Sequence, residues 1–384
     1  MSGLYIHIPF CEHKCIYCDF YSLAPAVPSD QDQSQTTMIA RFLACLDHEI
    51  DLQGEKFKSD DAYQTVFFGG GTPSLLAPAA VGKILKKLSA KFSIHPDAEI
   101  TLETNPGTVD VQKLKKFRDA GINRLSVGIQ SFHDGDLRFL TRIHSSETAR
   151  SCIRDAFEAG FEDVSIDLIF SLPRQTPERW RFNLEQAVAL RPTHLSCYSL
   201  IVEPGTPLFS MVRNKLITPR EPEADAGLYL STIEFLSEHG YRQYEVSNFA
   251  KPGFESRHNK NYWNHTPYLG FGPSAHSYKD RKRWWNISDL GLYSEMLERG
   301  QLPLAGSEDL TGRQLQEETI FLGLRSGGID LEKYREQFGY DLLETYKKPA
   351  DSCIREGLAF LQGNCFSLTA RGYALCDEIC LLFR

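Results

Sequence analysis

No apolar run in this chain of 384 residues approaches the roughly 18 needed to cross a bilayer, so a membrane-spanning helix is not expected. The chain opens MSGLYIHIPFC, without a basic segment leading into an apolar one; no secretory leader is expected, and the expected compartment is the cytoplasm. Long Lys/Arg tracts with interleaved aromatics are also missing, and the net charge is −8, so no nucleic-acid partner is expected. The two most basic stretches, KKFRDAG (115–121) and YKDRKRWW (278–285), fit a solvated helix face and a hairpin turn. No internal repeat is visible. Cysteine is not scarce, but the pattern of a disulfide framework is absent: three of the ten cysteines crowd into HIPFCEHKCIYCDFYS as Cys11, Cys15 and Cys18. In a reducing compartment such a cluster binds metal or does chemistry.

What is present is rhythm. Short apolar runs at 4–8, 65–68, 99–103, 124–130, 163–170 and 194–200 alternate with helical patterns near 78–91, 110–120, 147–159 and 177–190. That alternation predicts a parallel sheet with right-handed crossovers. Six strands in about 200 residues predict an α/β fold of partial (β/α)6 TIM type rather than a closed eight-stranded barrel. Residues 24–37, rich in Pro, Ser and Gln without periodicity, read as a mobile loop. Several prolines between 203 and 224 break the rhythm, so the expected division is 1–205 and 206–384. The second part reads as a helix at 223–239, a strand at 241–248, a Gly- and aromatic-rich region to 285 and a mostly helical end. Residues 366–383 there resemble the strand-to-helix step of a winged-helix module.

Thiolates hold iron–sulfur clusters. Three cysteines at these gaps can face one 4Fe-4S cube and leave one iron open for an outside ligand, such as the amino and carboxyl groups of methionine. A structural zinc site is the alternative, with His7 or His13 as a fourth ligand. Polar residues at predicted strand ends converge on one mouth in such a barrel. They are the glycines of FFGGGTP, then Glu103, Gln130, Arg142 and Asp167. These suit a zwitterionic amino acid, a sulfonium and a ribose diol.

The C-x3-C-x2-C spacing, Tyr17 before the last cysteine and the GGGTPS segment resemble the radical S-adenosylmethionine (SAM) superfamily. YIHIPFCEHKCIYCDF, FFGGGTPSLL, ETNPGT, NRLSVGIQSF and IDLIFSLPRQT further resemble the family that contains oxygen-independent coproporphyrinogen III oxidases and haem chaperones. The resemblance implies a 4Fe-4S cluster on Cys11, Cys15 and Cys18, and SAM contacts at Tyr5, Gly70, Gly71, Thr72, Glu103, Gln130, Arg142 and Asp167. Arg142 would meet the SAM carboxylate, with Gln130 and Asp167 at the ribose hydroxyls. Phe20 stands where the oxidases carry a fourth cysteine, and only ten residues precede Cys11. HNKNYW (258–263) fits the H-N-x-x-Y-W motif of the haem-chaperone branch.

The resemblance therefore implies a haem chaperone that passes haem to an acceptor, with no catalytic residue to assign. His258 would ligate haem, Asn259 would fix its tautomer, and Tyr262 and Trp263 would offer flat apolar surface. His265 and His276 are rival ligands, and a covalent thiol link to haem stays open. Read without the family, His258 caps a turn while Tyr262 and Trp263 are core. The expected acceptor is a haem-requiring respiratory protein; a homodimer, and weak association with a membrane surface through the acceptor, are compatible. The rival function is oxidative decarboxylation of coproporphyrinogen III in anaerobic porphyrin synthesis, a radical-SAM reaction. Cys376 and Cys380, one helical turn apart, and the isolated Cys45, Cys152, Cys197, Cys353 and Cys365 read as core packing.

Overall fold

A computed structural model describes residues 2–25, 33–57 and 62–384. Six parallel strands lie side by side in chain order: β1 (Gly3–Ile8), β2 (Tyr63–Gly70), β3 (Ile94–Thr104), β4 (Arg124–Gln130), β5 (Asp163–Phe170) and β6 (His194–Ser199). Each predicted strand is present. Helices Pro78–Lys91, Val111–Asp119, Ser146–Glu158 and Pro177–Ala189 fill the predicted crossovers. Their starts follow local chemistry. Asp110, Ser145 and Thr176 accept the backbone N–H three residues on, and Pro78 and Pro177 open helices where no N–H is needed.

Several helices were not legible in the sequence, the longest of them between β1 and β2. Gln33–Lys56 joins β1 to β2 and begins inside the stretch read as a loop. Residues 26–32 of that stretch lie outside the described residues. The helix escapes notice because Gln, Ser and Thr at its start mimic a linker, while its buried side, Phe42, Leu46, Glu49, Ile50 and Gln53, includes two polar residues.

The two faces of the sheet differ in chemistry. One carries Leu4, Ile6, Val66, Phe68, Leu102, Leu125, Val127, Ile166 and Leu195, all buried under the helices in one continuous core. The other follows the register Tyr5, Phe67, Thr101 on β1–β3 and Glu103, Ser126, Ser165, His194 on β3–β6. Parallel strands are ordinarily apolar on both faces. A polar inner face on this scale marks the side that meets a ligand.

The sheet does not end at β6. Beyond it, β8 (Asn248–Ala250) pairs antiparallel with β6, and β7 (Arg242–Gln243) with β8; the single strand expected over 241–248 is thus two, folded back where Glu245 accepts the Ser247 N–H. At the other edge β9 (Tyr268–Phe271) pairs parallel with β1, followed by antiparallel β10 (His276–Lys279), β11 (Lys282–Asn286) and β12 (Leu304–Asp309). The expected hairpin turn near 280 joins β10 to β11 through Asp280 and Arg281, both at positive φ, as a two-residue primed turn requires. The apolar core continues across residue 205 as far as Leu297.

From Gly312 onward the chain forms mostly short helices around a three-stranded sheet of β13 (Ile329–Asp330), β15 (Cys365–Leu368) and β14 (Ala359–Gln362), in that order. It has its own core, in which Cys353, Cys376 and Cys380 are buried. Within it, β15 leads into the helices Ala370–Ala374 and Cys376–Leu381.

Candidate functional site: a cysteine-lined cavity at the barrel mouth

Cys11, Cys15 and Cys18 follow β1 directly, on a loop pinned from three sides. Cys11 N–H donates to the Leu23 carbonyl at 2.9 Å, Ile16 N–H to the Thr141 hydroxyl at 3.2 Å, and Leu208 N–H to the Ile16 carbonyl at 2.9 Å. All three cysteines line one cavity of about 400 Å³ at the C-terminal ends of the strands. Gly70, Gly71, Thr72, Glu103, Gln130, Arg142 and Asp167 line it as well. The structure thus assembles seven of the eight residues expected around SAM with the three cysteines. The eighth, Tyr5, lies on the inner face but lines the adjoining cavity, its hydroxyl 3.1 Å from His7 Nδ1.

The glycine segment, residues 69–71, lies at the C-terminal end of β2. Its N–H groups are already used: Gly70 donates to Glu103 Oε2 at 3.1 Å, and Gly71 to the Ile8 carbonyl at 2.8 Å. What glycine supplies is closeness. A Cβ at Gly71 would come within 2.6 Å of the Phe10 carbonyl oxygen, and one at Gly70, whose φ is +107°, within 2.6 Å of the His7 ring. The segment therefore lies directly against the start of the cysteine loop.

Arg142 reaches the cavity from the loop after β4. Its Nη2 donates to Asn105 Oδ1 and to the Gly128 carbonyl, both at 2.7 Å, and Nη1 approaches Cys15 Sγ at 3.6 Å. Its buried Nε has no partner. Asn105 also donates to Thr72 Oγ1 at 2.8 Å, and Thr72 donates to Cys11 Sγ at 3.5 Å. Asn105, inside ETNPGT, thus links Arg142 to the cysteine loop; sequence reasoning missed it because only the pairing partners reveal the role. Gln130 holds φ at +68° beside a register shift between β4 and β5, a bulge that re-aims a side chain at the cost of local strain.

Two carboxylates face the same space. Burial and the charge of Asp167 push the Glu103 carboxyl up to about 8. Burial raises Asp167 too, against hydrogen bonds from Ser196 and Ser126 that lower it. Burial raises the Cys11 thiol and lifts Cys18 to about 11, so thiolate ligation there must release protons. The donor set fits a cluster and SAM: three thiols around one space, an unsatisfied guanidinium N–H for a carboxylate, and two crowded carboxylates for a cationic or hydroxyl-bearing ligand. Neither zinc candidate completes a fourth corner as placed. His7 is engaged at both ring nitrogens, by Tyr5 and the Tyr21 carbonyl at 2.8 Å, while His13 is exposed on the cavity rim. Among the described residues no three His, Cys, Asp or Glu side chains converge as they would on a single ion.

The H-N-x-x-Y-W motif forms the helix Arg257–Trp263, against the opposite, N-terminal end of β2. His258 is 1 % exposed. Its Nδ1 is 2.8 Å from Thr65 Oγ1 and its Nε2 2.9 Å from the Tyr262 hydroxyl, and its ring stacks on Phe67 at 4.9 Å. Burial and the Arg124 charge lower its pKa to about 3, so it is neutral. Thr65 and Tyr262, not Asn259, hold its imidazole; Asn259 lies half-buried with its N–H on the capping Ser256 hydroxyl. Tyr262 and Trp263 are partly buried. His265 pairs with Glu318 at 3.0 Å, whereas His276 is exposed with its ring on Trp285.

A parallel partial barrel with a C-x3-C-x2-C loop at its mouth defines a radical SAM protein. Residues 5–186 match the family model of the Radical SAM superfamily, and residues 310–375 that of the HemN C-terminal domain. The chain is 33% identical over 381 residues to a protein of Bacillus subtilis named Heme chaperone HemW, covering 99% of this chain and 98% of that one. It is 39% identical over 279 residues to the Escherichia coli protein of the same name, covering 71% of this chain and 69% of that one. The chain belongs to the HemW family. Among solved structures it resembles the coproporphyrinogen III oxidase HemN of Escherichia coli, described as a radical SAM enzyme, with a TM-score of 0.83 and 26% identity over 100% of this chain and 89% of that one.

Proposed function

We propose that this protein binds haem and delivers it to an acceptor protein, with a 4Fe-4S cluster on Cys11, Cys15 and Cys18 and SAM on the cluster's open iron. The observation that carries the reading is near full-length similarity to proteins named haem chaperone, in a chain whose three thiols, Arg142 and two buried carboxylates share one cavity. The cluster, when bound, supplies an open coordination site and one-electron chemistry. The chain's own residues do the rest. Arg142 receives the SAM carboxylate, Glu103 and Asp167 face its cationic and hydroxyl groups, and the glycine segment sets the depth of the floor.

The division of labour follows the expected boundary: residues 1–205 hold cluster and SAM, and residues 206–384, with the His258, Asn259, Tyr262 and Trp263 helix, serve haem. The acceptor is a haem-requiring respiratory protein. The protein works in the cytoplasm, where ten free cysteines stay reduced, and it meets membranes only through its acceptor; a homodimer is compatible with this. No helix among the described residues is long and apolar enough to cross a membrane.

The SAM cavity, lined by seven of the eight expected residues, and the likeness to HemN favour a second reading, oxidative decarboxylation of coproporphyrinogen III. Against it, Phe20 occupies the fourth-cysteine place and stands 62 % exposed at the cavity mouth. Anaerobic incubation of cluster-loaded protein with coproporphyrinogen III, SAM, a low-potential reductant to cleave the SAM and an electron acceptor for the substrate radical, followed by product analysis, separates the two. Absence of decarboxylated product together with stoichiometric haem uptake supports the chaperone. Turnover to a porphyrinogen two carboxylates lighter sinks it.

A further inference from the structure

Resting on the haem reading, we propose that haem docks in the aromatic cleft between the Arg257–Trp263 helix and the β10–β11 face, with the His276 imidazole as the protein ligand to iron.

Three histidines lie near enough in sequence to compete, and their surroundings separate them. His258 would have to leave Thr65 and Tyr262 and escape a core position. His265 is tied to Glu318 at 3.0 Å and lies 3.4 Å from the Thr319 hydroxyl. His276 is exposed, and among the described residues no hydrogen bond engages its ring. Neutral imidazole with a free nitrogen is what haem iron takes.

The cleft has the shape of a flat ligand. His276 and Trp285 are register partners on β10 and β11, with rings 5.7 Å apart and 24° from parallel. Trp285 lies down on the sheet because residue 306, its partner on β12, is glycine; a Cβ there would come within 2.5 Å of the indole. Tyr262 and Tyr268, edge to face at 4.8 Å, form a wall. Two cavities of about 570 and 380 Å³ share Tyr262, Tyr268 and His276, a volume in the range of cofactor sites. Tyr262 thus links the family motif to the cleft, while His258, hydrogen-bonded to its hydroxyl, positions it.

Charge sets the orientation. Arg283 in the cleft is already held by Glu308 at 2.9 Å and Glu318 at 2.8 Å. Carboxylates so placed repel haem propionates, so the propionates face the open mouth and the apolar macrocycle edge enters. The smaller cavity is lined by Asp19 and Phe20, which also line the cysteine cavity. Phe20 therefore borders both the proposed haem cleft and the cysteine cavity.

The test is anaerobic hemin titration of full-length, cluster-reconstituted protein, read as a Soret difference spectrum for wild type, His276→Gly and Gly306→Val. Wild type is expected to saturate. His276→Gly should bind roughly tenfold or more weakly with a shifted Soret band, and added imidazole should restore the wild-type band. Gly306→Val should weaken binding while keeping the ligand signature. His276 is exposed, so the variant should fold, and unchanged cluster absorbance checks this. A His276→Gly spectrum and affinity equal to wild type overturn the ligand and leave the haem reading standing. Failure of wild type to saturate overturns the haem reading and this site with it.

Discussion

Glu103 shows what a single buried carboxyl imposes. Its folded pKa near 8 lies above the ordinary value of 4.5, so the native protein holds a proton that the unfolded chain releases. Stability therefore falls as pH rises from about 4.5 to about 8 and stays reduced above that. Glu103→Gln should remove that slope and raise SAM-free stability by about 1–3 kcal/mol at pH 8.5, with little change at pH 4.5, allowing for solvent in the cavity. Thermal unfolding at the two pH values reads it; identical slopes for variant and wild type would refute the account. Arg142 offers the complementary experiment. Arg142→Lys keeps the charge but loses the fork held by Asn105 and Gly128. SAM affinity of cluster-loaded protein, measured by calorimetry, should drop roughly 10- to 100-fold, and an unchanged Kd would remove Arg142 from the SAM site.

At the scale of elements, a buried glutamate ties the helix Gln33–Lys56 to the far edge of the sheet. Glu49 accepts from Tyr293 at 2.6 Å, Asn286 at 2.7 Å, Gly272 N–H at 2.8 Å and Gln53 at 3.0 Å. Burial still pushes its carboxyl up to about 7. Glu49→Ala strands four donors and should cost about 3–5 kcal/mol in denaturant unfolding; Glu49→Gln, which keeps an acceptor, should cost clearly less. The haem-motif helix carries a parallel expectation. His258→Ala leaves the Tyr262 hydroxyl unpaired and Thr65 with Asn261 alone, around a void, which should cost about 2–4 kcal/mol. If stability is unchanged, the histidine is not the structural pin its contacts indicate. Both elements explain why the sequence misled. Polar residues at buried positions break the apolar period by which helices are recognised.

Across the whole molecule, the two largest apolar cores divide the work. The large one unites the barrel with β9 and β11, and the smaller one belongs to the C-terminal module. Gly372 lies where a Cβ would fall 2.0 Å from the Leu358 carbonyl oxygen. Gly372→Ala should therefore loosen the C-terminal module by about 1–3 kcal/mol and leave cluster absorbance intact. Limited proteolysis should cut the variant within 310–384 first. Loss of the cluster at the same rate would mean that the two cores unfold as one.

The sequence by itself determined the three-cysteine loop, the six parallel strands and most of the lining of the cavity at their C-terminal ends. Those features are written in short-range patterns: cysteine gaps, alternating β and α periods, and polar residues that end strands. Such residues meet at one mouth in any barrel of this topology. Only the tertiary structure decided which histidine is available. An imidazole is a ligand only if its nitrogens are free, and the partner that occupies His258 Nδ1 is Thr65, 193 positions away in the chain. The joining of β9–β12 to β1, which places His276 and Trp285 beside the motif helix, is equally non-local, since strand pairing between distant segments leaves no period in either one.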